Sequence, residues 1–268
     1  MSYPVPMSAA HFLLPLCVLL AACTATPSVA DWQLQWSDEF AHDGTPNPAL
    51  WDCEVGRVRN GELQHYTRDR LANARVENGH LVIEARREDF AGATFTSASL
   101  ITLGRAAFTH ARIEVSARLP RGRGVWPAIW LLGTNRSEVG WPACGEIDVM
   151  EFVGFEPDAV HQTVHTAKYN HMHRNSRGTR VSMTAPSDGF HIYAVEWDRE
   201  RMLFSIDGST TFTVTNDNTG TESWPFDAPF YLLLNVAVGG TWGGQHGVDE
   251  SVFPQQMAVD WVRVWARR

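Results

Sequence analysis

The sequence predicts an all-β fold of two stacked antiparallel sheets. Short runs that alternate apolar and polar residues recur along the chain. Gly, Pro and Asn punctuate them, and no segment sustains a helical period. The first clear strand is 81–85, Leu-Val-Ile-Glu-Ala, just behind the Asn78-Gly79 turn signal. Residues 112–118 then alternate with period two, and 145–151 form a third run. Strands at 191–197 and 202–206 follow, the second ending at the Asp207-Gly208 turn that leads into 211–214. Runs at 231–236 and 258–265 complete the series. There is no internal repeat, no low-complexity stretch and no sign of a second domain.

The run at 145–151, Gly-Glu-Ile-Asp-Val-Met-Glu, concentrates the chemistry. Ile147, Val149 and Met150 suit a strand with one face in the core, and Glu146 and Asp148, two apart, share the other face. Three steps beyond Asp148, a regular strand would turn Glu151 inward. A β-bulge near Val149–Met150 returns it to the face of its partners. Like charges on one face repel, so the cluster needs a use. A chance acidic patch and a calcium site both remain open. Glycoside hydrolysis fits best, because a retaining glycosidase places two carboxyl groups ~5–5.5 Å apart. Glu146 and Glu151 stand roughly 13 Å apart between Cα atoms at ~3.3 Å per residue, a gap that two long side chains can close. Asp148 between them would raise the pKa of at least one neighbour, as an acid/base near neutrality requires.

The surrounding segment 141–154 closely resembles the active-site strand of glycoside hydrolase family 16, in the bulged form of its laminarinase-type endo-β-1,3-glucanases. The resemblance runs in order over about residues 32–266. It includes Trp36-Ser37-Asp38-Glu39-Phe40, Asn60-Gly61-Glu62-Leu63-Gln64, Gly124-Val125-Trp126-Pro127-Ala128-Ile129-Trp130, Asn235-Val236-Ala237-Val238-Gly239-Gly240 and Phe253-Pro254-Gln255-Gln256-Met257. It implies a β-jelly-roll sandwich with an open concave substrate cleft. It also implies Glu146 as nucleophile, Asp148 as its helper and Glu151 as acid/base.

Composition agrees. The 268 residues, less a leader, leave about 240, ordinary for one all-β sandwich. Eleven tryptophans suit sugar stacking as well as core packing. A formal net charge of −8 argues against nucleic acid or an anionic membrane surface and favours a neutral glycan, bound by a monomer. Residues 11–22 hold an apolar run too short to span a bilayer. Leu20-Ala21-Ala22-Cys23 after it resembles a bacterial lipobox, although no Lys or Arg precedes the run. The expectation is a lipoprotein-type signal peptide at 1–22, a tether at 23–31 with Cys23 lipidated, and a single catalytic domain at 32–268, exported to the cell envelope. Simple cleavage near Ala30 is the other option, and membrane partition of a Cys23→Ser chain decides between them. Cys53 and Cys144 are expected as two buried thiols, and no Cys/His spacing suggests zinc.

By resemblance, Trp126, Trp130 and Trp141 stack on sugar rings; without it each tryptophan would be read as core. Asn60 and Glu62 match a loop that reaches sugar hydroxyls, where a solvated turn is the plainer reading. Arg105 is carried over as a substrate contact, in a segment, 104–110, that departs from the family's wording. His165 corresponds to a cleft histidine near the nucleophile, with His161 on the same strand face in a supporting role. Asn235 and Trp242 line the far side of the cleft. Gly239-Gly240 and Gly243-Gly244 read as flexible turns and not as a phosphate loop, since no Lys-Ser/Thr follows. The resemblance further implies a structural Ca²⁺ on the convex side, held by Glu39, the Gly79 carbonyl and Asp260. No cofactor is expected for catalysis. A galactan hydrolase, a transglycosylase and a non-catalytic glucan-binding protein remain as alternatives. The basic loop 166–180 either reshapes one end of the cleft or is a mobile connection.

Overall fold

The computed structural model describes residues 32–268, together with Met1 and Tyr3. The expected leader and Cys23 lie outside the described residues. No helix among those described is long and apolar enough to cross a membrane. Residues 32–268 group as one unit with seventeen strands, β1 to β17 in chain order.

The larger sheet runs Ser209–Thr215 (β15), Arg201–Ile206 (β14), His191–Trp197 (β13), Ala111–Arg118 (β8), Gln255–Arg267 (β17), His80–Phe90 (β5), Ala93–Ser97 (β6) and Gln64–Tyr66 (β3). Trp32–Asp38 (β1) also pairs with β17, and Ala74–Glu77 (β4) with β5. The second sheet runs Arg177–Ser182 (β12), Ala159–His165 (β11), Glu146–Glu151 (β10), Val125–Gly133 (β9), Phe230–Val238 (β16), Ser99–Ile101 (β7) and Asp52–Cys53 (β2). Pairing is antiparallel throughout both sheets except between β3 and β6. The exception is topological. Strand β3 comes off the loop where Glu62 bridges Gly239, and not from a hairpin with β6, so nothing forces the two to run in opposite directions.

The core lies between the sheets. Leu81, Ile83, Ile113, Val115, Val195 and Phe204 from the larger one meet Ile129, Leu131, Ile147, Val149, Leu232 and Leu234 from the other, all essentially inaccessible. Strands buried on both faces explain why β16 reads as a continuous apolar run. Its odd-numbered residues Tyr231 and Leu233 pack with Ala128, Trp130, Leu132 and Cys144 in a second cluster on the sheet's outer face. Ala128, Trp130 and Leu132 of that cluster line an open cleft of about 660 Å³, the size range of pockets that enclose most of a drug-sized ligand. Cys144 is buried as expected, whereas Cys53, on the short edge strand β2, is only half-buried, and both are free thiols.

Candidate active site

Alternation along the strands delivers the cleft residues. Strand β9 turns Trp126, Ala128, Trp130 and Leu132 to the cleft, β11 turns His161, Thr163 and His165, and β16 turns Asn235 and Ala237. Strand β10 supplies the acids. Against β9, Glu146 lies opposite Leu132 and Asp148 opposite Trp130; the register then slips, so that Met150 faces Ile129 and Glu151 faces Ala128. Val149 is the extra residue, and Val149 and Met150 both point to the core. The expected bulge is therefore present, and it returns Glu151 to the cleft beside Glu146 and Asp148.

Two indoles hold the outer acids. Trp141 Nε1 donates to Glu146 Oε2 at 3.0 Å, and Trp126 Nε1 donates to Glu151 Oε1 at 3.0 Å. Asp148 is 3% exposed, and its Oδ2 has no hydrogen-bond partner, with His165 Nε2 3.5 Å away. Burial pushes all three carboxyls up: Glu146 to about 8, helped by repulsion from Glu151, Glu151 to about 7, and Asp148 well above the carboxylate range. The same burial, with His171 nearby, lowers His165 to about 4, so its ring is neutral at ordinary pH. Glu146, Asp148 and His165 bring donor atoms within 4.8 Å of one another, the one tight His/Asp/Glu group among the described residues.

A polar chain supports the opposite side of the floor. Trp130 Nε1 donates to Asn235 Oδ1 at 2.8 Å, Asn235 Nδ2 to the Tyr66 hydroxyl at 3.1 Å, and that hydroxyl to Glu62 Oε2 at 3.2 Å. Gln64 Nε2 donates to the same oxygen at 2.7 Å, and Asn60 Nδ2 to Glu62 Oε1 at 3.3 Å. Glu62 is thus a buried, fully bonded anchor and no part of a solvated turn; burial raises its pKa. Trp242 sits edge-on to both Trp126 and His161, with ring centroids 5.5 and 4.8 Å apart. The glycine pairs lie in a closely packed turn. A Cβ on Gly243 would meet the Gly239 carbonyl at 2.7 Å and Trp126 Cβ at 2.8 Å, so the turn packs tightly behind Trp126.

The cleft gathers Asn60, Glu62, Trp126, Trp130, Trp141, His165, Asn235 and Trp242 around the acids. Arg105 is a correction. It lies off the cleft in the turn after β7, where its Nε donates to the Pro48 carbonyl at 2.9 Å. Cleft residues that were not anticipated include Arg59, Arg136 and His171. Arg59 pairs with Glu54 and lies 4.9 Å over the Trp130 ring. It directly precedes the Asn60-Gly61-Glu62 motif, and that adjacency was the available signal.

On the convex side, Arg263 donates to both carboxylate oxygens of Glu39 at 2.9 and 2.8 Å and holds its pKa down. Asp260 stands 3.9 Å from His80 Nε2, on the residue that follows Gly79. The oxygen donors suit calcium chemically, but Glu39 would have to exchange Arg263 for the ion.

A strand-floored cleft with paired glutamates around a third acid, walled by tryptophans, defines a glycoside hydrolase. The sequence model of glycosyl hydrolases family 16 matches residues 63–263, and the chain belongs to that family. It is 50% identical over 244 residues to a β-glucanase of Rhodothermus marinus, covering 87% of this chain and 85% of that one. The X-ray structure of the laminarinase from Rhodothermus marinus superposes with a TM-score of 0.86 at 49% identity, over 88% of this chain and 98% of that one. SCLam, a non-specific endo-β-1,3(4)-glucanase, superposes with a TM-score of 0.85 at 43% identity, over 91% and 97% of the two chains. The latter is a variant co-crystallised with 1,3-β-D-cellotriosyl-glucose that presents a 1,3-β-D-cellobiosyl-glucose at its active site.

Proposed function

We propose that this chain cleaves internal β-1,3 linkages of laminarin-type glucans with retention of configuration, Glu146 acting as nucleophile and Glu151 as acid/base. The observation that carries the proposal is the bulged strand that presents both glutamates to one cleft, each held by an indole N–H. Glu151, protonated, gives its proton to the glycosidic oxygen as a Glu146 oxygen bonds the anomeric carbon and the C–O bond breaks. Glu151 then takes a proton from water, whose oxygen attacks the same carbon and releases Glu146.

The resting proton must therefore sit on Glu151, although Glu146 has the higher pKa of the two. Part of that excess is repulsion from an ionised Glu151, and it vanishes once Glu151 holds the proton. The fields of Arg59 and Arg136 then favour the charge on Glu146, and Glu151 has no such cationic help. Asp148 has a buried oxygen without a donor, which is least costly if the carboxyl is protonated. In that form it can donate to a neighbouring acid. The β-glucan names of the relatives support the sugar class, and a cleft floored by Trp126 and Trp130 suits neutral pyranose rings.

Reducing-sugar assays on laminarin, lichenan, agarose and β-1,3-galactan, with the anomer of fresh product read by NMR, test the proposal. Laminarin should be turned over fastest, with the β-anomer released first. Release of the α-anomer, or turnover of the galactans alone, would overturn it.

Calcium binding by Glu39, the Gly79 carbonyl and Asp260 is the remaining part of the proposal. Saturating calcium at about 100 Kd stabilises by about 2.7 kcal/mol. At roughly 2–4 °C per kcal/mol for a domain of this size, EDTA should lower the Tm by about 5–10 °C, and added calcium should restore it. A Tm indifferent to both removes the ion from the description.

A further inference from the structure

We propose that His171 contacts the substrate and helps determine specificity. A locked loop holds its imidazole as the cleft wall at the Glu146 end, where a ring nitrogen hydrogen-bonds a hydroxyl of the bound glycan. The proposal rests on the β-glucan reading of the cleft.

The loop 166–176 joins β11 to β12, a place where a mobile tip would be ordinary. Here it is tied down twice. Asn170 is fully buried: its Nδ2 donates to the carbonyls of Thr166 and Ala167 at 3.0 and 3.2 Å, and its Oδ1 accepts from His173 N at 3.1 Å. Asn175 closes the loop on itself. Its Oδ1 accepts from Asn170 N at 3.0 Å and its Nδ2 donates to the Lys168 carbonyl at 3.0 Å. The second anchor is Asp217, whose Oδ2 accepts from the Tyr169 hydroxyl at 2.7 Å, Arg177 Nη2 at 3.1 Å and Lys168 Nζ at 3.2 Å. The Arg177 guanidinium also lies 3.8 Å over the Tyr169 ring.

Between these anchors the short turn His171–His173 carries His171 into the cleft. Its ring centroid is 5.0 Å from that of Trp141 and 5.2 Å from that of His165. Three indole nitrogens of the cleft are already committed, Trp141 to Glu146, Trp126 to Glu151 and Trp130 to Asn235. The ring nitrogens of His171 make no hydrogen bond to any described residue, and the side chain is exposed. At this end of the cleft it offers a ligand an aromatic edge and a donor or acceptor that the protein does not use, on a rigid support.

Steady-state kinetics on laminarin, with calorimetry of a laminari-oligosaccharide on a Glu146→Gln background, test the assignment. His171→Ala should raise KM about 5–10-fold and the Kd by the same factor, the loss expected for one hydrogen bond and its ring contact. The kcat should stay within about twofold. His171→Phe keeps the packing on Trp141 but not the hydrogen bond, and should bind as weakly as the alanine variant. Asp217→Asn, which loosens the anchor, should move KM in the same direction. An unchanged KM and Kd, full recovery by phenylalanine, or a fall in kcat at constant KM would overturn the assignment. The last of these would mean that His171 acts on Glu146 only through Trp141. A wild-type chain that neither binds nor cleaves laminarin would instead sink the underlying reading of the cleft, and this one with it.

Discussion

Glu146→Gln should lower kcat on laminarin by about 10⁴-fold or more, as removal of a covalent nucleophile does. Glu151→Gln should cost about 10²–10⁴-fold, the range for a general acid. Both substitutions keep side-chain size and an acceptor for the indole N–H, so near-ultraviolet circular dichroism should not change. The two roles separate on an aryl β-glucoside oligomer whose leaving group needs no proton. Glu151→Gln should then recover much of its glycosylation rate and show a burst, because water attack still lacks a base. Glu146→Gln should recover nothing. Equal losses on both substrates for Glu151→Gln, or near-normal turnover in either variant, would refute the assignment.

Why these two residues were legible in the sequence, and others were not, has a physical basis. A strand has a period of two, so one face of 145–151 could be read directly, and the misfit of Glu151 to that period required a bulge. The register slip at Val149 is that bulge. Trp126, Trp130, His165 and Asn235 were carried over from the family resemblance, since period two alone would have left the tryptophans in the core; strand alternation is what turns them to the cleft. Contacts made by loops were not legible. Arg105 sits in a turn whose path no periodicity describes, and it points to Pro48 instead of the cleft. His171 reaches the cleft because Asn170 and Asp217 fold its loop, through side-chain bonds that span up to 49 residues of sequence. The run Gly239-Gly240 with Gly243-Gly244 is ambiguous in another way. Glycine marks conformational freedom and close approach alike, and at Gly243 the Gly239 carbonyl and Trp126 fill the space that a Cβ would need. The parallel β3–β6 pair escaped notice because strand direction depends on the connection and not on composition.

The same triad should make the protein less stable as pH rises. The folded values of Glu146 and Glu151, about 8 and about 7, and that of Asp148 lie above those of an unfolded chain. Between roughly pH 4.5 and 8 the native state therefore holds protons that the unfolded state has released, and the slope of stability with pH is negative. The contribution is fully present below the unfolded pKa and is lost as pH climbs through the folded values. Other acids pull the opposite way. Arg70 holds Glu88 down to about 2, so that pair adds stability above pH 4.5 that is lost only in strong acid. Replacing a triad acid by its amide removes the burden of charging a buried group. Glu146→Gln and Asp148→Asn should each raise the Tm at pH 8 by about 5 °C, on the order of 1–2 kcal/mol at 2–4 °C per kcal/mol. At pH 3, below the unfolded pKa of both residue types, wild type is largely protonated in both states and the gain should disappear. A Tm difference of the same size at both pH values would show that it comes from packing and not from protons. If the gain follows pH as expected, the site holds its charges at a cost in stability, and the variants lose in turnover what they gain in melting temperature.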